Sequence, residues 1–105
     1  MIREDIGMLL KEFIVKKCKL KNMNEVLKKS AELMLSADYK ERFLAEYMQA
    51  KNRFEGLKKM VENWDKGILP FTPTCPRETY NFQLKAMKDY LDILVVRAKI
   101  ENIEL

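Results

Sequence analysis

Thr72, Thr74, Cys75, Arg77 and Tyr80 fall within nine consecutive positions of the stretch PFTPTCPRETY, which runs from Pro70 to Tyr80. Two kinds of chemistry suit them. Cys75 directly precedes Pro76. At the N-cap of a following helix, with proline at N1 and Glu78 at N3, a thiol gains acidity and reactivity from the helix end. Thr74 is an equal candidate for that cap, and Cys75 is then an ordinary first-turn residue. No base or resolving cysteine lies nearby in sequence, so thiol chemistry is the less favoured use. The other chemistry is anion capture. Backbone N–H groups, the Thr72 and Thr74 hydroxyls and Arg77 would converge where a helix start favours negative charge. Tyr80, one turn on, offers a ring for a base. The plain alternative is a capped helix with a surface arginine.

The rest of the chain offers little to a catalyst. Histidine is absent, which removes the commonest general base and the favoured zinc ligand together. The only other cysteine is Cys18, and the glycines at 7, 56 and 67 stand alone, so there is no phosphate-cradling loop. No serine sits in a nucleophile-elbow context. The pairs Asp89 with Asp92 and Glu101 with Glu104 fall on helical faces with lysines nearby, as solvated charge does. The expectation is a binding protein, not an enzyme, with no catalytic residue, metal site or cofactor.

A second candidate binding surface is basic. The net charge is +4, and most of the excess lies in residues 1–36. It concentrates in KKCKLK, where Lys16, Lys17, Lys19 and Lys21 surround Leu20. Such a cluster suits phosphate or an acidic partner. Its plain alternative is a solvated turn whose lysines complement a helix C-terminus.

These groups must be positioned by helices. Hydrophobic residues make up 48 % of 105 residues, the prolines are confined to seven positions, and Leu, Lys, Glu, Met and Ala dominate between them. The expected fold is all-α and a single domain, residues 1–105. Ile2, Ile6, Leu9 and Phe13 mark an amphipathic helix over about 3–17, and Asn22 with Glu25 forms a capping box for a shorter helix ending near Ser36. Asp38 opens the longest element, about 38–66, with the seam Phe43, Tyr47, Ala50, Phe54, Leu57, Val61, Trp64 and a Lys66-Gly67 stop. A last helix, about 76–101, carries the matching seam Tyr80, Leu84, Met87, Leu91, Leu94, Ala98. The two long helices form an antiparallel hairpin, with the Pro70–Pro76 segment as its corner.

The last helix has a second apolar row, Phe82, Ala86, Tyr90, Ile93, Val96 or Arg97, and Ile100. One partner helix cannot bury both rows. We expect cover by the N-terminal helices together with a homo-oligomeric surface. No apolar run is long enough to span a bilayer, and MIREDIGMLL carries early acids and no cleavage pattern, so a cytoplasmic protein is expected. The alternative is a small protein with a structural role, or one that binds DNA through a helix-turn-helix over residues 1–36. The second helix of that motif, however, has no arginine to read guanine, and Glu25 and Glu32 oppose DNA.

From Ser36 onward the sequence resembles a family of short proteins from phages and prophages of Firmicutes and from crAss-like gut phages. The likeness rests on the Phe71-Thr72-Pro73-Thr74-Cys75-Pro76 corner, Gln83-Leu84-Lys85-Ala86-Met87, Tyr90-Leu91-Asp92-Ile93-Leu94 and Arg97-Ala98. More distantly, the hairpin is similar to that of phage sponge proteins, which bind cyclic nucleotides and blunt CBASS or Thoeris signalling. That resemblance implies a non-enzymatic oligomer in the cytoplasm of the bacterial host. Its partner would be a cyclic nucleotide or a host defence protein. No single binding residue is carried over by it.

Overall fold

The structure, a computed structural model, describes residues 23–105. The expected helix over 3–17, the Asn22 cap, Cys18 and the lysine cluster Lys16, Lys17, Lys19 and Lys21 lie outside the described residues. Three α-helices follow: α1 (Met23–Met34), α2 (Tyr39–Asp65) and α3 (Arg77–Glu101). No strand occurs among the described residues, and the fold is the expected all-α hairpin with a shorter helix before it.

The boundaries of α2 follow from local chemistry. At its start Asp38 is extended (φ −85°, ψ 119°) and its side chain accepts from the Lys40 N–H at 3.0 Å. Ser36 extends this cap: its hydroxyl donates to Glu41 at 2.6 Å and accepts from the Asp38 N–H at 2.9 Å. Glu41 thus serves the Asp38 amide through a hydroxyl instead of directly, a relayed form of the capping box. At its end Gly67 takes φ 75°, the Gly67 N–H donates to Trp64 O at 2.9 Å and the Ile68 N–H to Asn63 O at 3.0 Å. These two bonds satisfy carbonyls of the last turn and stop the helix.

The end of α3 uses the same device with asparagine. Asn102 has φ 62° and Ile103 N–H donates to Ala98 O at 2.8 Å. The turn drives Ile103 back onto the helix, where it is buried with Phe43, Leu94 and Ala98. Half-buried Tyr47, Ala50 and Leu105 pack around this cluster, which holds the open end of the hairpin.

A second cluster lies on another face of α2. Val26 and Leu33 of α1 pack with Ala45 and Met48, with Leu44 against them. In helical projection these α2 positions lie opposite the Phe43, Tyr47, Ala50 seam, so α2 is an apolar spine with α1 on one side and α3 on the other. Ala45, with no accessible surface, lets α1 approach closely. One polar pair crosses this seam: the fully buried Ser30 hydroxyl donates to Leu27 O at 2.8 Å and accepts from Gln49 Nε2 at 3.1 Å.

This arrangement corrects the part of one expectation that falls on described residues. Of the two N-terminal helices expected to cover the second apolar row of the last helix, the one over about 3–17 lies outside the described residues, while α1 packs on α2 and makes no packing contact with α3. The reason is that α2 has two stripes on opposite sides, and its partners cannot meet around it. Phe82, Tyr90, Ile93, Val96 and Ile100 remain exposed.

Candidate functional site at the helical corner

Antiparallel return of the chain places the end of α2 beside the start of α3. The juxtaposition is made by Asp65 and Arg77, the terminal residues of their helices. Arg77 Nε donates to Asp65 Oδ1 at 3.0 Å and Nη2 to Oδ2 at 2.9 Å, while Nη1 donates to Asn81 Oδ1 at 2.7 Å. The fork of the guanidinium meets both carboxylate oxygens, the strong geometry for such a pair. Hydrogen bonding to Arg77 holds the Asp65 carboxyl below its usual range, and the same bond pushes Arg77 up.

Aromatic rings underlie the pair. The Arg77 guanidinium carbon lies 6.0 Å from the Trp64 ring centroid, and the Tyr80 ring meets Trp64 edge-on at 5.9 Å and 74°. Trp64 and Tyr80 are half-buried. The Tyr80 phenol is pushed up, first by burial and then by the neighbouring Cys75 sulfur. Cys75 itself is an exposed, free thiol.

Of the residues singled out in the sequence, Arg77 and Tyr80 therefore come together on Trp64. Thr72 and Thr74 are exposed on the link between the helices. The expected cap at Thr74 or Cys75 is not formed. Pro76 holds the N-cap position, extended at φ −60° and ψ 146°, with no side-chain cap hydrogen bond, and its carbonyl accepts from the Thr79 N–H at 3.0 Å. The helix starts one residue later than expected because Pro76 itself supplies the extended turn, and its ring has no acceptor. In contrast to α2 with its Asp38, the start of α3 receives nothing from its cap for the N–H groups of Arg77 and Glu78.

Sequence reasoning used Trp64 only as a seam residue and did not single out Asp65. The signal was available: an acid just before the Lys66-Gly67 stop and an arginine just after the corner must become neighbours when the hairpin closes.

The open end carries a second arginine station that the sequence reading passed over. Arg97 Nε donates to Glu101 at 3.2 Å and Nη2 to the Tyr39 hydroxyl at 2.7 Å, while the Tyr39 hydroxyl donates to Glu101 at 2.8 Å. Lys40 adds a bond to the Asn102 carbonyl at 3.2 Å. Nearer the middle the Tyr90 hydroxyl donates to Glu46, which pushes the phenol up. Both arginines of α3 are thus paired with an acid and laid over an aromatic ring of α2, one at each end of the hairpin.

Among the described residues no group of His, Cys, Asp and Glu is placed to hold a metal ion, and no helix is long and apolar enough to cross a membrane. No curated protein and no solved structure matches the chain. The Sequestin family matches residues 37–100, a span that takes in all of α2, the corner and all but the last residue of α3. With more than half of the chain matched, and the hairpin and its corner inside that span, the protein belongs to the Sequestin family.

Proposed function

We propose that this protein is a phage-encoded, non-catalytic sequestering protein, which blunts a host antiphage defence by holding its cyclic nucleotide signal. It works as a homo-oligomer in the cytoplasm of the infected cell. The family's name, Sequestin, suggests a sequestering role, and one observation supports a nucleotide as the captive: the start of α3, with no cap side chain, carries Arg77 over Trp64 beside Tyr80. Phosphate oxygens suit the uncapped N–H groups and the guanidinium fork, and a base suits the aromatic rings. Asp65 holds Arg77 in place before binding, and a phosphate would take over the two donors that Asp65 occupies.

Calorimetry with cyclic di- and trinucleotides tests this. Binding heat that Arg77→Ala abolishes and Asp65→Asn increases, by removing the internal competitor, is the expected result. No heat and no thermal shift with any cyclic nucleotide would sink the nucleotide reading. A stable complex with a host defence protein, lost on charge reversal of Lys16, Lys17, Lys19 and Lys21, would then move the function to occlusion of that protein.

A further inference from the structure

The outer face of α3 has its own regular pattern. Phe82, Ala86, Asp89, Ile93, Val96 and Ile100 step +4, +3, +4, +3, +4, the spacing of knobs that interlock with a second helix. They lie on the side of α3 turned away from the α2 seam. Phe82 is 76 % exposed, Ile93 56 %, Val96 50 % and Ile100 78 %. The spacing reads the same in both directions about a midpoint near Leu91, so an antiparallel copy of the stripe meets the original in register. Phe82 then opposes Ile100, Ala86 opposes Val96, and Asp89 opposes Ile93.

We propose that this stripe is a self-association interface, in which two copies of the chain pair their α3 helices antiparallel about Leu91. The proposal rests on the homo-oligomeric part of the reading above and adds to it the face, the direction and the register. The area is enough for a modest interface: with the stripe wholly covered in both copies, pairing would bury on the order of 1,000 Å², the threshold for a specific interface.

Asp89 sets the direction. It is the one polar residue of the stripe, tied to Lys85 at 3.0 Å. Parallel pairing would set each Asp89 against its own copy, two like charges in an apolar seam. Antiparallel pairing sets it against Ile93 and leaves the Lys85 bond at the rim. A single polar residue at such a position selects register and orientation.

The test joins light scattering to cysteine cross-linking in a Cys18→Ser, Cys75→Ser background. The chain is expected to be dimeric at least, and Ile93→Asp or Phe82→Glu to give a monomer with unchanged helical circular dichroism. Mixing Ala86→Cys chains with Val96→Cys chains should give a cross-linked dimer that neither variant gives alone. Oligomers that survive Ile93→Asp, or Ala86→Cys chains that cross-link to themselves, overturn this interface and leave the homo-oligomeric reading standing. A monomeric wild type overturns both, while nucleotide capture keeps its own calorimetric test.

Discussion

The Arg97 guanidinium lies 4.8 Å from the centroid of the Phe43 ring, the closest cation-to-ring approach among the described residues, and in the same pose donates to Glu101 and Tyr39. One side chain thereby ties the first turn of α2 to the last turn of α3. Lysine could keep the charge but neither the flat stacking nor the two-directional donation. Arg97→Lys and Arg97→Ala should therefore both lower the melting temperature by a few degrees. Little rescue by lysine is expected; full rescue would show that charge alone matters there.

Acid should loosen both ends of the hairpin. Hydrogen bonding to the Tyr39 hydroxyl, and then to Arg97, holds the Glu101 carboxyl below its usual range, as Arg77 holds Asp65. A carboxyl depressed in the folded state contributes stability that is complete above the ordinary carboxylate range and is lost as pH falls through the depressed value. The melting temperature should be flat near neutrality and fall below about pH 4.5. Glu101→Gln and Asp65→Asn should lower it at pH 7 and flatten the acid limb. Both groups are on the surface, so the difference should shrink in high salt. An acid limb of unchanged steepness in the double variant would refute this account.

Leu94 is 1 % exposed and packs with Phe43, Ala98 and Ile103. Truncation leaves a cavity at the point where the hairpin is closed by side chains from three segments. Leu94→Ala should cost about 3 kcal/mol, a large share of the stability of a domain this size, measured as a shifted midpoint in urea. Leu91→Met, a nearly volume-conserving change one turn away, should cost less than about 1.5 kcal/mol.

Gly67 sits at φ 75° with nothing within 4 Å of an added Cβ, so a substitution there probes backbone conformation free of steric clash. Gly67→Ala should cost about 1 kcal/mol. Asn102, at φ 62°, offers the reverse experiment. Asn102→Gly should be neutral or mildly stabilising, since glycine adopts this conformation more readily. Thermal melts of the two variants should move in opposite directions or differ clearly in size.

Much of the hairpin could be read from the sequence because its signals are local. Asp38 caps, Lys66-Gly67 stops, and the two seams from Phe43 to Trp64 and from Tyr80 to Ala98 face each other as their spacing requires. The second stripe of α2 was harder to see. Leu44, Ala45 and Met48 interleave with Phe43 and Tyr47, and the longer seam masks the shorter. At the corner, type and spacing brought out Arg77 and Tyr80. Pairing with Asp65 depends on closure of the hairpin, a contact between residues 12 apart, and periodicity within one helix carries no such information. The Pro76 cap was missed because Thr74, just before it, is of a preferred capping type, whereas proline has no side-chain acceptor.

The bond between Ser30 and Gln49 has a consequence for how this chain could be taken apart. Family resemblance begins at residue 37, yet Gln49, Ala45 and Met48, the residues that receive α1, lie inside the matched span. Helix α1 is thus fitted to its hairpin through positions the hairpin itself must supply. Grafted onto a relative without a small residue at 45 and an amide at 49, that helix would lose its socket. It is an appendage with a lock, and only half of the lock travels with it.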